Sequence, residues 1–296
     1  MNAITTDALT RYYGPRRGVE ALDLEVREGE IFGFLGPNGA GKTTTIRLLL
    51  GLIRPTRGGA RVAGRDIVTE SRAVRERVGF LTGDVALYPQ LRVEEYLRFL
   101  GRFSRDFDAR RMRAYAERLD LETSQPIKGL SKGNRQKVGL VAALQHDPAV
   151  LLLDEPTSGL DPLLQQEMHR ILREEKARGA TVFLSSHDLA EVQVLCDRAG
   201  ILREGHLVQI ADVARLRDLR DRRYRVTFQD GRVPPEAPAG ALVERRDSAT
   251  VTYRTAGRVA AFLEAILAAH PVDLREEEVS LEDIFLRLYG PDRVQR

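Results

Sequence analysis

The chain has 296 residues, 43% of them hydrophobic and 30% charged, with 46 Lys and Arg against 43 Asp and Glu. This composition is that of a globular chain with room for a large α/β domain and a smaller one, and the balanced charge argues against a nucleic-acid-binding face. No apolar run approaches the roughly 18 residues that span a bilayer, and the single cysteine, Cys196, precludes a disulfide within the chain.

Residues 4–30 alternate apolar and polar side chains around turn signals, which predicts antiparallel strands. The apolar run 31–35 predicts a buried strand, and residues 43–50 predict a helix that stops near Gly51. Between these two elements lies Gly36-Pro37-Asn38-Gly39-Ala40-Gly41-Lys42-Thr43-Thr44, which matches the phosphate-binding motif G-x-x-x-x-G-K-[ST]. The alternative is a glycine-rich turn that contains a lysine by chance, and the flanking strand and helix argue against it.

The chemistry of phosphate binding explains this residue pattern. The glycines let the backbone turn tightly so that successive N–H groups point at phosphate oxygens, and the helix N-terminus adds its positive dipole end. Lys42 supplies a cation for the outer phosphates, and the Thr43 hydroxyl is a ligand for Mg²⁺. We therefore expect the phosphates of a bound ligand and Mg²⁺ at this loop, with contacts from Gly36, Asn38, Gly39, Ala40, Gly41, Lys42, Thr43 and Thr44.

Four apolar runs each end in polar residues. The run 31–35 leads into the phosphate loop, 78–81 into Thr82-Gly83-Asp84, 150–153 into Asp154-Glu155, and 181–184 into Ser185-Ser186-His187. Because a ligand of an open parallel sheet lies outside the carboxyl ends of its strands, these groups are predicted to meet at one edge. Asp154 then serves as a second Mg²⁺ ligand, Glu155 as the base for the attacking water, and His187 as a γ-phosphate sensor. The alternatives are that Asp154 and Glu155 are an acidic pair that caps the start of a helix and that His187 is an ordinary surface histidine.

The remaining segments complete a two-domain prediction. Residues 54–67 indicate a hairpin, 71–76 a short helix, and 86–148 an all-helical insertion. After residue 211 we predict a charged helix over 213–222, strands at 224–228, 249–254 and 272–274, a Pro-rich loop at 233–240, and helices at 259–267 and 281–288. The predicted domains are residues 1–215 and 216–296, the second a small α+β domain.

An ordered set of motifs resembles the ATP-binding subunit of an ABC transporter over residues 4–212. The set consists of Tyr13, the Walker A loop, the signature segment Leu130-Ser131-Lys132-Gly133-Asn134, the Walker B strand with Asp154 and Glu155, the loop Ser158-Gly159-Leu160-Asp161, and His187. The resemblance implies an α/β fold with a P-loop NTPase core, a mainly parallel central sheet, an antiparallel N-terminal β subdomain and a helical insertion. It implies that Tyr13 stacks on adenine. It also implies a nucleotide-bridged dimer in which Ser131 and Gly133 contact the nucleotide of the partner subunit.

Two departures from the family pattern stand out. The usual Leu-Ser-Gly-Gly-Gln signature has Lys132 and Asn134 in place of a glycine and the glutamine. The family's glutamine that contacts Mg²⁺ and relays to the membrane subunit aligns with Gly83, next to Asp84. Either Asp84 substitutes for this glutamine or the metal keeps an additional water. Gly83, Asp84 and Asp161 are the expected coupling residues.

The resemblance implies an ATPase that powers a separately encoded export permease and lies at the inner face of the membrane through that permease. The second ATP-binding subunit is another copy of the chain or a related one, with the homodimer preferred. A nucleotide-switched regulatory module with little turnover is the main alternative. A protein acting on DNA or ribosomes is disfavoured, because the chain has one phosphate loop and no long coiled-coil insertion.

Overall fold

The structure, a computed structural model, describes residues 1–83, 85–104, 106–214, 222–229, 237–238, 240–255 and 259–277. Contacts within the chain group it into two units, Met1–Val213 and Ala214–Arg296. Among the described residues, no helix has the length and apolar character that crossing a bilayer requires.

The first unit alternates strands and helices after an opening strand pair. Its strands are β1 (Asn2–Tyr13), β2 (Arg16–Arg27), β3 (Ile31–Leu35), β4 (Arg57–Val62), β5 (Arg65–Asp66), β6 (Val78–Leu81), β7 (Val150–Asp154), β8 (Thr181–Ser186), β9 (Arg198–Arg203) and β10 (His206–Asp212). Its helices are α1 (Lys42–Leu49), α2 (Ser71–Glu76), α3 (Val93–Gly101), α4 (Ala109–Arg118), α5 (Lys132–Leu144), α6 (Pro162–Ala177) and α7 (Leu189–Leu195).

A six-stranded sheet of order β10-β9-β3-β8-β7-β6 forms the centre of this unit. Strands β9, β3, β8, β7 and β6 are parallel, and β10 pairs antiparallel with β9. Every residue of β3, β7 and β8 is buried, as expected for strands covered on both faces. The register pairs Leu35 with Ser186 and Asp154 with Ser185, so the carboxyl ends of these strands lie together. This confirms the predicted convergence of the strand ends.

The antiparallel N-terminal sheet has the order β2-β1-β4-β5. Its buried side chains, among them Leu22 and Val62, share one hydrophobic core with Phe34 of β3 and Ile46 of α1. The predicted α/β fold with an antiparallel β subdomain is therefore confirmed.

Helices α3, α4 and α5 form the predicted insertion between β6 and β7. The expectation of helix throughout 86–148 is too broad, since residues 119–131 join α4 to α5 without regular helix. Ion pairs bind the insertion to α6: both terminal nitrogens of Arg118 donate to Glu174, and Nη2 of Arg111 lies 2.7 Å from Oε2 of the buried Glu175.

The second unit has a four-stranded antiparallel sheet of order β12-β13-β11-β14. Its elements are β11 (Arg222–Phe228), β12 (Ala241–Asp247), β13 (Thr250–Thr255), α8 (Val259–Ala268) and β14 (Pro271–Glu277). Phe262 and Ile266 of α8 pack on Tyr224 and Val251, which gives the α+β character predicted for this region.

Two details of that prediction are wrong. Arg222 begins β11, where it pairs with Thr255, and does not end a helix. Strand β12 was not expected, because only Ala241 of its seven residues is buried and an exposed edge strand carries no apolar alternation. Residues 215–221, the predicted helix at 281–288, and most of the Pro-rich loop lie outside the described residues.

Cys196 follows α7 and is buried against the strand that leads to the phosphate loop. A Cβ atom added at Gly33 would lie 3.0 Å from its Sγ atom. Burial raises the pKa of the thiol well above its ordinary value, which keeps it in the unreactive protonated form. Its environment is that of a packing residue.

Candidate functional site

The phosphate loop connects β3 to α1, and packing requires glycine at two of its positions. A Cβ atom at Gly36 would lie 2.5 Å from the carbonyl oxygen of Leu202, and one at Gly41 would lie 2.4 Å from that of Gly18. Gly41 also has a φ of 112°, a region that other residues rarely adopt. These close contacts hold the loop against β2 and β9, at the edge where the parallel strands end.

Lys42 begins α1 and is 5% exposed. Its ammonium group folds back over the loop, donating to the carbonyl oxygens of Gly36 at 2.6 Å and Pro37 at 3.2 Å. The same Nζ atom lies 3.5 Å from Oε1 of Glu155. A desolvated ammonium next to a helix N-terminus attracts an anion more strongly than an exposed one.

Thr43, Asp154 and Ser185 form a hydrogen-bonded chain. The Thr43 hydroxyl donates to Oδ2 of Asp154 at 2.7 Å, and the Ser185 hydroxyl donates to Oδ1 at 2.5 Å. Ser185 is fully buried on β8 and fixes the orientation of the carboxylate. No role was predicted for it, although its place at the end of a core strand was the available signal.

Glu155 directly follows β7 with a φ of 48°, a strained value for a residue other than glycine. Its N–H donates to the Ser185 hydroxyl at 3.0 Å, which holds this turn in place. Oε1 of Glu155 lies 3.4 Å from Nδ1 of His187 and 3.5 Å from Nζ of Lys42. A single carboxylate oxygen therefore contacts both the lysine of the phosphate loop and the histidine of the fourth strand end.

Two polar side chains that were not predicted hold the turn containing His187. The Ser186 hydroxyl donates to Oε2 of the buried Glu191 at 2.6 Å and accepts from the N–H of Asp188 at 2.9 Å. Asp188 caps α7 by accepting from the N–H of Ala190 at 2.7 Å. The residues on both sides of His187 are thus tied down, while its ring remains largely exposed.

A cavity of about 490 Å³ extends from the phosphate loop to the β1–β2 turn. Tyr13 and Glu155 both line it. Its remaining lining residues are Arg16, Arg17, Gly18, Asn38, Gly39, Gly41, Lys42, Thr43, Thr44 and Arg47. Its lining includes four cationic side chains, Arg16, Arg17, Lys42 and Arg47, a character that suits a phosphorylated ligand. Gly36 and Ala40 belong to the loop but do not line the cavity.

Ser131 and Gly133 lie at the start of α5 and do not line this cavity. Ser131 caps the helix by accepting from the N–H of Asn134 at 3.2 Å. A Cβ atom at Gly133 would lie 2.8 Å from the carbonyl oxygen of Gly159, so the signature segment packs on the loop after Glu155. Lys132, which stands in place of a glycine of the usual signature, donates to the Ser158 hydroxyl at 3.1 Å.

The expected coupling residues are found in two places. Asp161 caps α6, accepting from the N–H groups of Leu163 and Leu164 at 3.0 Å. Gly83 follows β6, and a Cβ atom there would lie 3.7 Å from Oδ2 of Asp154. Asp84 lies outside the described residues.

The donor set fits Mg²⁺, which is bound in nucleotide sites by one or two protein oxygens together with phosphates and water. The Thr43 hydroxyl and the Asp154 carboxylate provide two such oxygens, 2.7 Å apart. Among the described residues, no group of three or more His, Cys, Asp or Glu side chains forms an all-protein metal cage. A metal held by these two oxygens would take its remaining ligands from phosphates and water.

A parallel sheet, a glycine-rich loop leading into a helix, and an acidic strand end beside the loop lysine define the class of P-loop nucleotide-binding proteins. The family profile described as "ABC transporter" matches residues 19–158. The chain is 34% identical to the bacitracin transport ATP-binding protein BcrA of Bacillus licheniformis, over 97% of each chain. It is 37% identical to the daunorubicin resistance ATP-binding protein DrrA3 of Streptomyces coeruleorubidus, over 98% of this chain and 97% of the relative.

The fold comparison agrees with these relatives. A solved structure of the ATP-binding subunit of an ABC transporter superposes with a TM-score of 0.69 at 30% identity, covering 73% of this chain and 92% of that one. The chain belongs to the ABC transporter ATP-binding family.

Proposed function

We propose that the chain is an Mg²⁺-dependent ATPase that dimerises on ATP and drives a separate membrane permease. The observation that carries this proposal is the position of Glu155, whose Oε1 atom lies within 3.5 Å of Lys42 and of His187. Glu155 is also adjacent in sequence to Asp154, which Thr43 contacts. A base, a phosphate-binding cation and a phosphate sensor grouped in this way serve hydrolysis, whereas binding alone needs only the loop.

Each residue has a distinct role in this proposal. Lys42 and the loop N–H groups bind the β- and γ-phosphates, and Tyr13 stacks on the adenine. Thr43 and Asp154 would hold Mg²⁺, which when bound neutralises charge on the phosphate oxygens. Glu155 accepts a proton from the attacking water. The oxygen of that water bonds to the γ-phosphorus while the bond between the γ-phosphorus and the ADP oxygen breaks. His187 donates a hydrogen bond to the γ-phosphate.

The proposed dimer accounts for the signature residues. Ser131 and Gly133 lie at the N-terminus of α5, a position suited to an anion, yet they do not line the cavity of their own subunit. A nucleotide bound to a second subunit is the ligand that fits them, and a second copy of this chain supplies it in the simplest assembly. Asp161 and the loop at Gly83 then carry the coupling to the partner subunits.

Export is the proposed direction of transport, because two relatives are named for daunorubicin resistance and for Nod factor export. Co-purification in mild detergent from native membranes tests the partner. We expect an integral-membrane protein with several spans to be recovered with this chain, at the inner face of the membrane. Recovery of the chain from the soluble fraction alone, with no such partner, would contradict the transport role.

A nucleotide-switched module with little turnover is the second candidate, and Gly83 is the observation that favours it. Glycine supplies no side-chain ligand beside Asp154, where the resemblance leads one to expect a glutamine. Retention of both Glu155 and His187 favours hydrolysis instead, because a module that only binds ATP needs neither.

The variant Gly83→Gln separates these two candidates. Its new side chain would start 3.7 Å from Oδ2 of Asp154, an ordinary contact. For the proposed ATPase, we expect steady turnover in the unmodified chain and a change of less than about tenfold in the variant, since one added hydrogen bond contributes about 0.5–1.5 kcal/mol. Steady-state phosphate release measures both rates. Negligible turnover that the glutamine restores would favour the switch.

A further inference from the structure

An arginine lies on the ring of Tyr13 and does not belong to any motif. The guanidinium carbon of Arg11 is 4.8 Å from the centroid of the Tyr13 ring. The two side chains fall on the same side of β1 because residues i and i+2 of a strand share a face. The distance is within the range of a cation–π contact.

The arginine is itself held in place. Its Nη1 atom donates to the carbonyl oxygen of Arg54 at 2.9 Å, beyond the end of α1. Its Nε atom is buried without a hydrogen-bond partner in the described part of the chain, as expected where a guanidinium lies against a ring. The contact therefore ties the end of β1 to the segment that follows α1, the helix that begins at the phosphate loop.

Part of the Tyr13 side chain is open to the cavity. Tyr13 is 40% exposed and lines the cavity, whereas Arg11 is not among the lining residues. Gly18 also packs close to the ring, because a Cβ atom there would be 3.0 Å from Cε2 of Tyr13 and from Cγ2 of Thr44. The ring thus contacts the Arg11 guanidinium and also lines the cavity that begins at the phosphate loop.

We propose that Arg11 is a positioning residue that orients the Tyr13 ring to stack on the base of the bound nucleotide. This rests on the proposed function, in which ATP occupies the cavity. An exposed tyrosine samples several rotamers, and fixing it before binding removes part of the entropy that stacking would otherwise cost. Arg11 acts on the base alone, and the phosphates are bound by the loop.

The test compares ATP with inorganic tripolyphosphate, which has the phosphate chain but no base. In Arg11→Ala we expect the Kd for ATP to rise about 3- to 10-fold, with the Kd for tripolyphosphate unchanged. In Arg11→Lys, which keeps the charge but not the planar group, the Kd for ATP should be intermediate. In a Tyr13→Ala background, Arg11→Ala should change the Kd for ATP less than about twofold, because no ring remains to be positioned.

Arg61→Ala is the matched control, since it removes an equal charge from an exposed arginine of β4 that donates to the carbonyl of Gly64. An unchanged Kd for ATP in Arg11→Ala would overturn the proposal, and so would an equal loss for ATP and tripolyphosphate, which would indicate a general effect of charge or folding. An undiminished effect in the Tyr13→Ala background would also overturn it. Failure of the unmodified chain to bind ATP would instead refute the proposed function.

Discussion

Replacing Glu155 with glutamine is expected to lower kcat for ATP hydrolysis about 10²–10⁴-fold, the contribution of a general base. The amide keeps the size and the hydrogen-bonding oxygen of the carboxylate but cannot accept the proton of the attacking water. Binding should survive, since Lys42 retains its bonds to the carbonyls of Gly36 and Pro37. Because hydrolysis would be blocked after ATP has bound, we expect the variant to accumulate as an ATP-bound dimer.

Single-turnover phosphate release measures the chemical step, and size-exclusion chromatography with ATP measures the dimer. Glu76→Gln is the control for loss of one negative charge, because Glu76 forms a surface pair with Arg72 on α2. A Glu155→Gln variant that hydrolyses ATP at the normal rate would remove Glu155 from the mechanism. Slow hydrolysis without a trapped dimer would leave the catalytic role intact and contradict the proposed assembly.

Replacing Lys42 with alanine is expected to raise the Kd for ATP about 10²–10³-fold, the usual cost of removing one partner of a buried, hydrogen-bonded charge contact. The ammonium group is almost fully buried and lies 3.5 Å from Glu155. Without it, the positive charge of the lysine no longer separates the triphosphate from the Glu155 carboxylate, so repulsion adds to the lost attraction.

Isothermal titration with a non-hydrolysable ATP analogue in the presence of Mg²⁺ gives this affinity, because the proposed ATPase would consume ATP during the titration. Lys137→Ala is the matched control, because Lys137 is similarly buried but donates to the carbonyl of Asp120 in the helical insertion. We expect Lys137→Ala to lower thermal stability and to leave the Kd for ATP nearly unchanged. Retained affinity in Lys42→Ala would show that the loop is not the phosphate site.

The groups that meet at the site were predictable from the sequence wherever the end of a strand was predictable. The apolar runs before Gly36, Asp154 and His187 predicted strands, because strands covered on both faces are continuously apolar. Parallel packing of such strands places their carboxyl ends at one edge, and the register of Asp154 with Ser185 is the observed outcome. The exposed edge strand β12 had no comparable signal.

The sequence alone determined the phosphate loop, since a glycine-rich turn between a strand and a helix is specified by residues a few positions apart. It also determined the α/β class and the order of the motifs. Which atoms meet follows from the three-dimensional packing: Thr43 contacts Asp154, Ser185 contacts the same carboxylate, Glu155 contacts Lys42, and Arg11 contacts the ring of Tyr13. Two of these pairs, Thr43 with Asp154 and Lys42 with Glu155, are more than 100 positions apart in the chain, and side-chain distance is set by sheet register and packing, which sequence spacing does not encode.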